Sequence, residues 1–221
     1  MSVFSCWGCC VEASKEEREP IAQARPLKTS KELSKGETLL IRNVNVTDID
    51  QTFTNVAVAY NEQVEHCRTI NDCISGLADI SCSEPSLSSC LRRLQERHDD
   101  CDIKVHMEGF NFSLVVNPEN HVKEDLQQAQ ELIQKLSRAA KLINRNKTML
   151  EEMINSLMRN KTEMEDKIDT LNVGHLDHIR FRDNLVANFQ NINKAKQLSK
   201  EYEEEANKVL KEIANLSGSA D

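Results

Sequence analysis

From residue 122 onward the apolar residues recur at alternating steps of four and three. The positions so spaced are Val122, Leu126, Ala129, Ile133, Leu136, Ala140, Ile143, Lys147, Leu150, Ile154, Leu157, Lys161, Met164, Ile168 and Leu171. Thirteen of these fifteen positions are apolar, and no Pro or Gly falls between the first and the last. A helix turns once per 3.6 residues, so this spacing gathers the apolar side chains into one seam. Seven heptads of it predict a coiled coil. About 50 residues at 1.5 Å each make a rod of about 75 Å. Asn117 reads as its N-cap, Pro118 as its first helical residue, and Glu119 as a favourable charge at the positive helix end. Gly174 in "NVGHLD" is placed to take the left-handed conformation that closes a helix. A final helix to about Leu216 follows, with Leu185, Phe189, Ile192, Ala195, Leu198, Tyr202, Ala206, Val209 and Ile213 on its stripe. The short connection predicts that the two helices fold back on each other as an antiparallel hairpin over 118–217.

A second stripe comes earlier. Ile49, Phe53, Val56, Tyr60, Val64, Cys67, Ile70, Ile74 and Leu77 predict a helix from about 48 to 80, long enough to be a third member of the bundle. Thr47 is its expected N-cap, with Asp50 three residues on in the place of a capping-box acid. "SCSEPSLSSC" breaks the pattern. Ser83 and Pro85 suit the first turn of a shorter helix carrying Leu87, Cys90, Leu91 and Leu94.

The period then changes to two. In "CDIKVHMEGFNFSLVV", Ile103, Val105 and Met107 alternate with polar residues, and Phe110, Phe112 and Leu114 do so after Gly109. This predicts a β-hairpin with Gly109 at the turn. A lone hairpin is marginal in water, so its apolar face should lie on a helix. Residues 46–117 thus read as helix, short helix and hairpin.

Residues 11–43 show no sustained period. They contain Pro20, Pro26 and Gly36 and few apolar residues, too few to offset the entropy of ordering. With the cysteine-bearing start, residues 1–45 are expected to be a disordered tail and linker. The predicted fold class is all-α: an elongated helical bundle or antiparallel coiled-coil hairpin, with one small β-hairpin and a disordered N-terminal tail.

Composition agrees with long solvated helices. Of 221 residues, 39% are apolar and 29% charged. The formal net charge of −8 is uneven: residues 1–45 hold seven Lys/Arg and six Asp/Glu, leaving 21 and 30 for the rest. An acidic body without a basic stripe excludes nucleic acid as the expected partner, since phosphates would repel it. No run approaches the ~20 apolar residues needed to span a bilayer. With no basic leader and no apolar core segment before Glu12, the chain is expected to be made and kept in the cytosol. There the body cysteines should be thiols, and the five N-x-[ST] sequons incidental.

The candidate chemistry lies at the start, in "MSVFSCWGCC". Cys6, Cys9 and Cys10 fall within five residues, next to Phe4 and Trp7. Such thiols are candidates for S-acylation. Two or more acyl chains hold a protein stably on a membrane, and Phe4 and Trp7 would settle at the interface. Ser2 excludes N-myristoylation. The competing readings are half of a zinc site, whose other half is missing, and an unmodified tail. His175 and His178 with Asp177 form a weak metal candidate. "ERHDDCD" sets His98 near Cys101, but its carboxylates would raise the thiol pKa, so a solvated helix end is expected. Lys147 and Lys161 sit in the seam two heptads apart. There they either fix register against acids such as those of "EYEEEA" or snorkel to water.

No phosphate loop, nucleophile elbow or metalloprotease motif appears. The reading is therefore a non-enzyme with no metal and no cofactor, and no small-molecule substrate. It is a coiled-coil scaffold or tether binding itself or another protein, on the cytosolic face of a membrane through acylated Cys6, Cys9 and Cys10. The alternative is a soluble structural coiled-coil subunit whose N-terminal cysteines are incidental.

Overall fold

A computed structural model of the chain describes residues 33–81, 84–117 and 122–218. These hold five helices and one two-stranded sheet: α1 (Thr47–Ser81), α2 (Leu87–Arg97), β1 (Asp102–Glu108), β2 (Asn111–Asn117), α3 (Glu124–Arg159), α4 (Lys161–Asp169) and α5 (His175–Ser217). The fold is all-α with one β-hairpin, as the periodicities predict.

Three long helices form the core. Lys147 reaches Glu203 while Asn155 meets Lys196, so α3 and α5 run antiparallel. Phe53 packs edge-on against Phe189 at 5.2 Å, and Cys67 reaches Glu205, so α1 and α5 run parallel. The α3 seam is consumed within the chain. Leu126, Ile133, Leu136, Ile143, Leu150, Ile154, Leu157, Met164 and Ile168 are all buried, and Leu171 is half-buried. Burial of such residues contributes about 1.5–3 kcal/mol each and dominates the fold.

The rod is not continuous. α3 ends at Arg159, and Asn160 (φ −87°, ψ 9°) separates it from α4. The heptad survives this step, because Met164 and Ile168 stay buried beyond it. Nor does Gly174 close a helix. It is extended (φ −60°, ψ 149°) and stands as the N-cap of α5, while Thr170 caps α4. The left-handed glycine is Gly218, at the far end of α5.

Other expected boundaries also shift. Asp50 does not complete a box with Thr47; its carboxylate accepts the Val44 N–H at 2.8 Å. Ser86, not Pro85, precedes the first turn of α2 and makes no side-chain cap, and Ser83 lies outside the described residues. Glu212 of α5 takes that role, accepting the Ser88 N–H at 2.8 Å and the Ser88 hydroxyl, which places a carboxylate at the positive helix end. At the other end of α2, Arg97 donates to the last carbonyls of α1, Ile80 and Ser81. Asn117 is the last residue of β2 rather than an N-cap, and the helix it was expected to open begins at Glu124. Pro118 and Glu119 lie outside the described residues.

The hairpin pairs Ile103 with Val116, Val105 with Leu114, and Met107 with Phe112. Gly109 takes φ +58° at the first turn position, the placement a II′ turn requires. Phe110 falls in the turn and is exposed rather than continuing the apolar face. Side chains from the helices satisfy the strand edges: Phe112 N–H donates to Ser137 Oγ, and Gln130 and Gln95 donate to the Leu114 and Ile103 carbonyls. This removes the open edge that makes an isolated hairpin marginal.

Candidate functional site: the α1/α5 groove and its strap

The expected linker does not extend to residue 45. Residues 33–46 form a strap laid along α1 and α5: a turn at 34–37, closed by the Glu37 N–H on the Ser34 carbonyl at 3.1 Å, leads into a non-helical run over 38–44, with Leu33, Leu39 and Val44 buried. Two helix asparagines hold its backbone. Asn61 Oδ1 accepts the Leu39 N–H at 2.7 Å, and its Nδ2 donates to the Leu39 carbonyl at 3.1 Å. Asn188 treats Arg42 in the same way, at 2.9 and 2.8 Å. Asn184 adds a bond to the Asn43 carbonyl. Near the start of the strap, Gly36 N–H donates to the Tyr202 hydroxyl at 2.7 Å, and Arg68 donates to the Gly36 carbonyl. Lys35 forms an ion pair with Glu205.

Beneath the strap the α1/α5 interface is polar. The Tyr60 and Tyr202 hydroxyls lie 3.5 Å apart in a buried position. Burial, aided by this neighbour, raises the Tyr60 phenol far above its ordinary range. The Cys67 thiol donates to Glu205 at 3.1 Å. Burial, followed by that hydrogen bond, pushes the thiol up to about 12. Burial alone would raise the Glu205 carboxyl, but the hydrogen bonds from Lys35 and Cys67 outweigh it and hold it below the usual glutamate value. Gln63 Nε2 bonds the Ser199 carbonyl, whereas its Oε1 is the one buried side-chain polar atom without a partner among the described residues. A cavity of about 10 Å³, close to one water in size, lies beside Gln63, His66 and Asn146.

The two seam lysines differ. Lys147 pairs with Glu203, within the "EYEEEA" run, on the neighbouring helix of the same chain. Lys161 stays exposed, near Glu165 at 3.7 Å and over the Phe189 ring at 5.6 Å.

In "ERHDDCD" Glu96, Arg97, Asp99, Asp100 and Asp102 are exposed around the end of α2, as a solvated helix end should be, and His98 is the exception. His98 is buried, with Nε2 2.7 Å from Asp125 and Nδ1 3.2 Å from Lys123 Nζ, so it ties the end of α2 to the start of α3. Burial would raise the Asp125 carboxyl, but the His98 hydrogen bond, with the charge of Arg97, holds it below its ordinary value. His178 approaches Asp169 at 3.7 Å, and Arg182 reaches the same carboxylate at 3.1 Å. Among the described residues no group of three or more His, Cys, Asp or Glu is arranged to hold a metal.

Cys67, Cys73 and Cys90 are buried thiols. Cys6, Cys9 and Cys10 lie outside the described residues. The groove residues Asn61, Asn184 and Asn188 were not legible as a site. The available signal was Asn188 itself, a polar residue inside the Leu185–Phe189–Ile192 stripe. No family model matches the chain, and no curated protein or solved structure matches it.

Proposed function

We infer that this chain is a non-enzymatic scaffold or tether, held on the cytosolic face of a membrane by S-acylation of Cys6, Cys9 and Cys10, with the helical body as its protein-binding part. The observation that carries the reading is the cluster of three cysteines within five residues beside Phe4 and Trp7. Two features of the body are consistent with it. No described helix is long and apolar enough to cross a membrane. The α3 seam is filled by the chain's own helices, so a partner binds the outer faces instead of adding a helix to that seam.

Membrane fractionation tests the anchor. The wild type should pellet with membranes. The Cys6→Ser/Cys9→Ser/Cys10→Ser variant, and wild type treated with hydroxylamine to cleave thioesters, should move to the supernatant. If all three remain soluble, the anchor is refuted, and the chain reads as a soluble structural subunit of a larger assembly.

A further inference from the structure

The α1/α5 groove recognises an extended backbone. Asn61 and Asn188 each bond both the N–H and the C=O of one strap residue, Leu39 and Arg42, as a neighbouring β-strand would. Buried Leu33, Leu39 and Val44 supply the apolar anchors. The groove thus fits one kind of ligand, a segment with this spacing of apolar residues whose backbone is open to side-chain hydrogen bonds at Leu39 and Arg42 after a turn at Gly36.

The strap reaches its own groove only through a reversal just before α1. That reversal rests on Asn45, whose φ of +61° is the only positive value at a non-glycine residue among those described. Asn tolerates this region better than most residues, but at a cost. The Asn45 N–H donates to Asn43 Oδ1 at 2.7 Å, which tightens the turn. An extended backbone at Asn45 would carry the strap away from its own α1 and α5.

We propose that residues 33–44 of a second copy of this chain also occupy this groove, giving a reciprocal strap-exchanged dimer. Every contact of residues 33–44 with α1 and α5 recurs in the exchanged form, between chains instead of within one. The two forms then differ mainly in the junction backbone and in the entropy of association. A short hinge under conformational strain is the arrangement that favours exchange. The inference does not depend on the membrane reading of the N-terminus.

The test is Asn45→Pro in the full chain, kept reduced. Proline fixes φ near −65° and removes the N–H that Asn43 accepts, so the closed turn is lost. Light scattering should report a mass twice the 25.2 kDa of one chain. Amide exchange should still show Leu39 and Arg42 protected. Adding Asn61→Ala and Asn188→Ala should abolish both the dimer and the protection. A monomeric Asn45→Pro chain, with the strap protected or released, overturns the proposal, as does a dimer that survives loss of both asparagines. If Asn45→Pro fails to fold, energy transfer between donor- and acceptor-labelled wild-type chains replaces it. Asn45→Gly relieves the hinge and should lower the exchanged fraction severalfold relative to wild type. An equal fraction in the two proteins overturns the proposal.

Discussion

Ile133 on α3 and Val44 in the strap are both fully buried, yet their neighbours in sequence differ completely. Ile133 belongs to a seam whose next members stand three or four residues away, so the helix that presents it is also the helix that its burial stabilises. Val44 sits in a stretch with no period. Apart from the Val44 N–H on nearby Asp50, the strap is ordered by Asn61, Asn184, Asn188 and Tyr202, which lie between 22 and 166 residues away from the strap residues they bond. The seam is local pattern turned into packing. The strap has little pattern of its own and borrows hydrogen bonds from helices that are already formed.

The comparison breaks first at the seam. Ile133→Ala should cost about 2–5 kcal/mol, the range for truncating a buried aliphatic residue. Urea unfolding checks this, with the midpoint falling while the slope stays unchanged. A loss under 1 kcal/mol would mean that the site collapses around the change. Asn188→Ala acts on the strap and leaves the Arg42 N–H and C=O without their partner. About 1–3 kcal/mol is expected. Faster amide exchange should be confined to residues 39–44, with α3 unaffected. If α3 exchanges equally fast, strap and seam are one cooperative unit.

The buried thiols between strap and seam give a pH test. Burial raises Cys67, to about 12, and also Cys73, each from 9.0. The neutral thiol is therefore the folded form. Its stabilisation is complete below the unfolded pKa and fades as pH rises from about 9 toward 12. Unfolding at pH 8 and pH 10.5 should show lower stability at the higher pH, and Cys67→Ala should reduce that slope. At pH 8, Cys67 should resist thiol reagents until the protein unfolds.

The smallest effect is expected at Lys147→Met. It removes a partly exposed ion pair with Glu203 and leaves Lys161 as the remaining polar seam residue. Such pairs contribute about 0–1 kcal/mol, so the unfolding midpoint should scarcely move and the mass in solution should not change. A new oligomer would show that Lys147 specifies register, as polar seam residues do elsewhere.

Much of the fold was legible because it repeats. The stripes of α1, α3 and α5 and the two-residue period of the hairpin are recorded in residues a few positions apart. The boundaries were less so, because their caps come from other elements. Glu212 caps α2 from 124 residues away, and Arg97 closes α1 from α2. His98 looked solvated because Asp125 and Lys123, which bury and bond it, lie beyond the hairpin. The strap reads as linker for the same reason.

By itself the sequence determined the periods: which residues face inward, that three long helices share a core, and that a hairpin needs a helix beneath it. Those are properties of spacing, and a helix or strand converts spacing into a face without outside help. Only the tertiary structure decided which backbone groups are paired outside the regular elements. The ends of α1 and α2, the hairpin edges and the strap all carry polar groups that must find partners once buried. Those partners come from wherever the packed helices bring a side chain within hydrogen-bond reach, which no local pattern records.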